Sequence, residues 1–157
     1  MSVSVQREDF DPGAELDALL DGRRDIGGVV SFVGLVRDFT DDSHVGALTL
    51  EHYPGMTEKA LERIEQDARA RFDVQATRIV HRFGRMEPGD RIVLVIAASS
   101  HRGEAFRAAE FLIDWLKTKA PFWKSEETPD GPKWVEARAS DDDATRRWGS
   151  GDDGAGT

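Results

Sequence analysis

The sequence predicts an α/β or α+β fold in which helices pack on a mixed β-sheet. Strand and helix signals alternate along the chain without an internal repeat. The two strongest strand signals, residues 28–36 and 91–98, are apolar runs rich in β-branched residues, which is typical of buried strands. Apolar residues at every fourth position predict a helix over about 56–71, and a longer helix is expected over about 103–119.

Shorter elements follow from local patterns. We expect strands over 3–7, 47–53, 74–83 and 133–138, and a short helix over 14–20. Gly22 can adopt the left-handed conformation that closes this helix. Pro121 ends the long helix, because the residue before a proline is pushed out of helical geometry. Residues 1–148 are therefore predicted to form one domain, and the acidic tail 149–157, which has nothing to bury, is expected to be disordered.

Composition excludes several classes of function. The 21 Lys and Arg against 30 Asp and Glu give a net charge of −9, which disfavours general binding to nucleic acid or anionic lipid. Cysteine is absent, so the chain supplies no sulfur nucleophile, thiolate zinc site or iron–sulfur ligand. The four histidines lack metal-ligand spacing, and neither a metal nor a cofactor is expected. No membrane span or secretory signal is evident, so a cytoplasmic location is expected.

Residues 101–138 are electrically unlike the rest of the chain. They include seven basic and seven acidic residues, so the excess negative charge falls elsewhere. His101 and Arg102 lie between an apolar strand and the start of the long helix, where backbone N–H groups and the helix dipole favour anions. Alternatively, Ser100 caps the helix, and both side chains are merely exposed in its first turn.

The segment 117–124 is a second candidate for chemistry. Phe122 and Trp123 would partly desolvate Lys124, which suits an amine that transfers protons or attacks a substrate. A helical wheel places Lys117 at the border of the apolar arc and Lys119 within it. The alternative is that these lysines only extend from a hydrophobic edge towards solvent. Arg37, which closes the first buried strand, is a weaker candidate.

Several long motifs occur in one order along most of the chain. They are VVSFVGLVRD (29–38), LTLEHYPGMTEKAL (48–61), IVHRFGRMEPGD (79–90), SSHRGEAF (99–106), LKTKAPFWKSE (116–126) and WVEARASD (134–141). Over about residues 28–148 the chain resembles the large, catalytic subunit of molybdopterin synthase. The resemblance implies an α/β hammerhead fold with an additional small antiparallel β-subdomain, and a homodimer.

The resemblance also implies a partner and a reaction. The partner is a small ubiquitin-like sulfur carrier whose C-terminal Gly-Gly is a thiocarboxylate, and two carriers with the homodimer make a heterotetramer. The reaction converts cyclic pyranopterin monophosphate into molybdopterin by two sulfur transfers. Because the chain has no cysteine, its sulfur has to come from the partner.

The site residues are implied position by position. The essential lysines of the family fall on Lys117 and Lys124, with Lys117 expected to engage the substrate or thiocarboxylate and Lys124 to stabilise charge or transfer protons. Substrate-binding positions fall on Leu35, Val36, Arg37, His101, Arg102, Ser125, Glu126 and Arg138. The His101–Arg102 pair is expected to reach the pocket across the dimer interface, so a monomer should be inactive. Family members commonly have threonine or lysine at position 35, so no polar side-chain contact is expected from Leu35.

Two other functions are open to the same residues. One is a non-catalytic dimeric module that only docks a ubiquitin-like partner. The other is an acid–base hydrolase of cyclic phosphates that uses His101 and the lysines. Retention of both lysines, Arg37 and the His–Arg pair argues against a pure docking surface.

Overall fold

The computed structural model describes residues 2–37, 39–40, 43–44, 46–128, 131–135 and 148. This part of the chain contains three helices: α1 (Pro12–Leu20), α2 (Met56–Arg71) and α3 (Arg102–Lys119). Its strands are β1 (Val3–Gln6), β2 (Gly28–Leu35), β3 (Phe39–Thr40), β4 (Ser43–His44), β5 (Leu48–His52), β6 (Ala76–Arg82), β7 (Gly84–Met86), β8 (Arg91–Ser99), β9 (Phe122–Thr128) and β10 (Gly131–Val135).

The first sheet has the strand order β1-β6-β8-β2 and is mixed, because β1 runs parallel to β6 while the other pairs are antiparallel. Helices α2 and α3 cover one face with a core that includes Leu61, Phe111 and Leu112. Helix α1 covers the other face, where Val80 and Ile96 pack beside its apolar residues. The alternation of inward and outward side chains along β6 serves both layers at once.

The second sheet has the order β10-β9-β5-β7 and is antiparallel. Its small core combines Val36, Leu48, Leu50 and Met86. The predicted α+β class is confirmed, and this sheet corresponds to the expected antiparallel subdomain. Strand β9 is absent from the sequence-based expectations, because its polar residues after Trp123 show no apolar alternation.

Local signals explain the element boundaries. Asp11 caps α1 by accepting hydrogen bonds from the N–H groups of Gly13 and Ala14. Gly22 follows α1 with φ +70°, the left-handed conformation that the sequence predicted. The expected final strand is observed over 131–135 as β10, while its residues 136–138 and the tail 149–157 lie outside the described residues.

Helix α3 runs antiparallel to β8 across the first sheet. In its first half Ala108 and Ala109 pack against Ala97, and in its second half Leu112 and Leu116 share a core cluster with Val93. Because β2 and β8 are antiparallel, with Gly28 opposite Ser99 and Leu35 opposite Arg91, the two ends of α3 lie at opposite ends of β2. This placement decides which candidate residues one chain can bring together.

Candidate active site

Lys117 and Lys124 lie on either side of the connection from α3 into β9. Lys117 is exposed in the last turn of α3, which ends at Lys119 with Ala120 as its C-cap, before Pro121 as expected. Lys124 is exposed in β9, opposite Leu50 of β5. Phe122 and Lys124 are two positions apart in one strand, so their side chains project to the same face.

His81 is a buried side chain that sequence reasoning did not select. It lies on β6, and its ring stacks on Phe122 with centroids 3.8 Å apart and an interplanar angle of 15°. Its Nδ1 lies 2.8 Å from the carbonyl oxygen of Arg82. Burial lowers the pKa of His81 from 6.5 to about 4, and the positive charges of Lys117 and Lys124 act in the same direction, together with His52. The imidazole is therefore neutral at physiological pH.

Further rings continue this stack into the second sheet. His52, the last residue of β5, pairs with Phe122 across the strands, with ring centroids 6.0 Å apart. Its ring lies 4.3 Å from that of Phe83, and its Nδ1 is 3.1 Å from the hydroxyl oxygen of Thr57. We call His81, Phe122, His52 and Phe83 the ring bridge, because it connects the first sheet to the second beside the two lysines.

The three predicted substrate-binding residues at the end of β2 differ in their exposure to solvent. Leu35 is 53% exposed, and the β2–β8 register shifts between Gly34 and Leu35. Val36 is buried in the core of the second sheet, and its backbone N–H donates to the carbonyl oxygen of Asp90. The side chain of Val36 is therefore enclosed by the core and is not presented to a ligand. Arg37 is exposed at the same end of the first sheet as Lys117.

His101 and Arg102 are exposed at the other end of α3. His101 is the N-cap residue, but its side chain makes no cap hydrogen bond. The alternative that Ser100 caps the helix is wrong, because its hydroxyl donates instead to the carbonyl oxygen of Asp25. At 1.5 Å per residue, His101 stands about 24 Å from Lys117 along the helix. Within one chain, His101 and Arg102 are therefore too far from the two lysines to share a site with them.

The other predicted residues continue from Lys124. Ser125 lies opposite Thr49 of β5, and the backbone of Glu126 lies opposite Leu48. The side chain of Glu126 and the whole of Arg138 lie outside the described residues. In the part of the chain that the structure describes, no cluster of three His, Asp or Glu residues could hold a metal ion. None of the described helices is long and apolar enough to cross a membrane.

Two exposed lysines whose charges act on a buried, neutral imidazole, in an α+β chain without a thiol, are the kind of groups that an enzyme uses for proton transfer and charge stabilisation. The model of the family described as "MoaE protein" matches residues 5–119, and the chain belongs to this family.

Similar proteins are found among relatives and solved structures. The molybdopterin synthase catalytic subunit of Pseudomonas aeruginosa is 55% identical over 148 residues, covering 94% of this chain and 99% of the relative. The structure of a molybdopterin biosynthesis MoaE protein from Burkholderia ambifaria is 52% identical, with a TM-score of 0.81 over 94% of this chain and 97% of that one. A structure described as the complex of subunits 1 and 2 of molybdopterin-converting factor from Helicobacter pylori shares the fold at 21% identity, with a TM-score of 0.72 over 88% of this chain and 92% of that chain.

Proposed function

We propose that this chain is the catalytic subunit of a cytoplasmic molybdopterin synthase. It converts cyclic pyranopterin monophosphate into molybdopterin with two sulfur atoms from the thiocarboxylated C-terminus of a small ubiquitin-like partner. The observation that carries the proposal is the placement of Lys117 and Lys124 around one connection beside the ring bridge, in a cysteine-free chain of the MoaE family. The Pseudomonas aeruginosa relative supports the same assignment through its name.

The two lysines suit the chemistry of sulfur transfer. Addition of the thiocarboxylate sulfur to a pterin carbon and departure of the partner's carboxylate both develop negative charge and require proton transfers. An ammonium group placed where that charge develops lowers the barrier. We assign Lys117 to the substrate or thiocarboxylate and Lys124 to charge stabilisation or acid–base work. Both side chains are exposed and therefore open to an incoming C-terminal tail.

The substrate phosphate requires local cations in a chain with a net charge of −9. Arg37 lies at the lysine end of the first sheet, whereas His101 and Arg102 lie at the other end. We therefore propose a homodimer in which His101 of the partner subunit and Arg102 of the partner subunit complete each site. Two sulfur carriers then give the heterotetramer.

The exposed edge of β2 supports this dimer. β2 is the last strand of the first sheet, and it exposes 39% of Phe32 and 53% of Leu35. If two copies paired antiparallel through β2, the Gly28 end of one strand would meet the Leu35 end of the other. Because Arg102 lies against Gly28, this pairing would carry the partner's Arg102 towards Arg37.

Reconstituted turnover tests the function directly. The purified chain, its thiocarboxylated carrier and cyclic pyranopterin monophosphate should yield molybdopterin, and Lys117→Ala should abolish turnover while the fold is retained. Lys59→Ala is the matched control and should retain full activity, since Lys59 is exposed on α2 and, two residues along the helix from Thr57, projects away from the face that contacts His52. Full turnover by the Lys117 variant would overturn the proposal. Carrier binding without product would favour the docking module, and opening of the cyclic phosphate without sulfur incorporation would favour the hydrolase.

Mixing two inactive variants tests the shared site. Arg102→Ala and Lys117→Ala homodimers should each be inactive, whereas a re-equilibrated mixture should recover about one quarter of the wild-type activity. Half of the dimers would then be mixed, and each would contain one intact site. If Arg102 and Lys117 instead acted within one chain, neither subunit of a mixed dimer would have both residues intact. The mixture would then stay inactive.

A further inference from the structure

The stacked pair of His81 and Phe122 joins the two sheets at one point. His81 belongs to β6 of the first sheet, and Phe122 is the first residue of β9 in the second. The near-parallel rings, 3.8 Å apart, are in van der Waals contact across their faces. The position of Phe122 is therefore tied to the first sheet as well as to its own strand.

A hydrogen bond fixes the orientation of the His81 ring. A carbonyl oxygen can only accept, so the 2.8 Å contact with Arg82 means that Nδ1 of the neutral imidazole donates its proton there. The ring can then rotate only by breaking this bond or the stack on Phe122. Because the His81 ring is neutral, it places no third positive charge near the ammonium groups of Lys117 and Lys124. The charges of these two lysines and of His52 act on His81 and lower its pKa.

Phe122 lies within the connection that separates the two lysines. Its backbone N–H donates to the carbonyl oxygen of Ala120 at 2.8 Å, which closes the turn after α3. Lys117 precedes this turn in the last turn of α3, and Lys124 follows on the same face of β9 as Phe122. A shift of the Phe122 ring would therefore move Lys124 relative to Lys117.

We propose that His81 is a positioning residue for the two lysines, which holds Phe122 by face-to-face stacking and thereby sets the spacing between Lys117 and Lys124. This inference rests on the proposed function for its kinetic consequence. The required feature is a flat, uncharged ring, since an aliphatic side chain of similar size fills the space without fixing the ring of Phe122. Small displacements of catalytic groups can lower rates by up to about a hundredfold.

Two substitutions at His81 separate positioning from packing. His81→Phe keeps a flat ring, whereas His81→Leu keeps apolar bulk only. In the reconstituted complex we expect kcat to fall at least about tenfold in the Leu variant, with KM within about twofold of wild type, and the Phe variant to recover most of the loss. A merely structural role would lower thermal stability in both variants and leave kcat per folded molecule unchanged.

Lysine reactivity provides a readout that does not depend on turnover. An amine-reactive acylating reagent modifies exposed lysines, and mass spectrometry measures the rate at each one. In the Leu variant, the rates at Lys117 and Lys124 should change relative to the rate at Lys59. In the Phe variant, both ratios should stay at their wild-type values. If the wild type makes no molybdopterin while these ratios shift as described, the proposed function fails and the positioning role stands.

The inference is overturned if the Leu variant keeps the wild-type kcat and labelling ratios, or if the Phe variant loses as much as the Leu variant. Should either His81 variant fail to fold, Phe122→Tyr and Phe122→Leu make the same comparison from the other ring. Tyr is then expected to keep the wild-type values and Leu to lose them. Equal behaviour of the two Phe122 variants would also overturn the inference.

Discussion

Burial of His81 makes the stability of the fold depend on acid in a way that one substitution can isolate. The pKa of His81 is about 4 in the folded chain, because burial disfavours the charged ring, against 6.5 for an ordinary histidine. Between these values the unfolded chain binds a proton that the folded chain does not. Lowering the pH through 6.5 towards 4 therefore favours unfolding, and the full stability is present above about pH 6.5.

The two pKa values set the size of this effect. Linkage between them gives a loss of roughly 2 to 3 kcal/mol in the free energy of unfolding at pH 4.5 relative to pH 7. His81→Phe removes the titrating group and keeps the stack on Phe122, so this part of the loss should vanish. Acidic groups such as Asp9, whose pKa is lowered to about 2 in the folded chain chiefly by the hydrogen bond from Arg91, are present in both proteins and cancel in the comparison.

Denaturant unfolding followed by tryptophan fluorescence at both pH values measures the difference. Protein concentration is held fixed, because a dimer makes apparent stability depend on concentration. The wild type should lose about 2 kcal/mol more than His81→Phe between pH 7 and pH 4.5. Equal losses in the two proteins, to within about 0.5 kcal/mol, would refute a buried neutral His81.

Two further predictions concern packing away from the lysines. Gly27→Ala should destabilise the fold by about 2 kcal/mol or more, because a Cβ there would stand 2.1 Å from the carbonyl oxygen of Ser100. Gly103→Ala, in the first turn of α3 with open space around it, is the matched control and should be neutral or up to about 1 kcal/mol stabilising in thermal unfolding. Trp148→Phe should cost about 1–3 kcal/mol, since it removes the indole N–H that donates to buried Asp114 at 2.6 Å. An unchanged melting temperature in the Gly27 or Trp148 variant would contradict its explanation.

The elements predicted most closely are those in which the spacing of apolar residues along the sequence shows which side chains are buried. The helix expected over 56–71 is observed as Met56–Arg71, and the strand expected over 91–98 as Arg91–Ser99. In both, side chains that face a core repeat at the period of the element itself. Strand β9 was missed because its pairing with β5 and β10 stabilises it, and these partners lie far away or later in the chain.

The candidate site was predictable in its residue types but not in its arrangement. The helical wheel selected Lys119 as the more enclosed lysine, yet Lys119 is exposed, with its ammonium 5.7 Å from the ring of Trp115. The wheel assumes that the whole apolar arc stays buried to the end of the helix, whereas both lysines of the last turn of α3, Lys117 and Lys119, are exposed. His81 occupies an inward position of a predicted strand, as many core residues do. Its stacking on Phe122, which is distant in sequence, is visible only in the folded structure.

The geometry of α3 gives a physical reason for the proposed homodimer. A rigid helix holds its two ends about 24 Å apart, a separation that no side-chain rearrangement closes. The lysines with Arg37 at one end and His101 with Arg102 at the other therefore act on one substrate only if a second chain supplies the missing half. A two-fold axis at the edge of β2 would satisfy both sites at once, because it brings each end of α3 near the opposite end of the other copy. On this reasoning, lengthening or shortening β2 would misalign both sites together, whereas disabling Lys117 in one subunit would leave the other site intact.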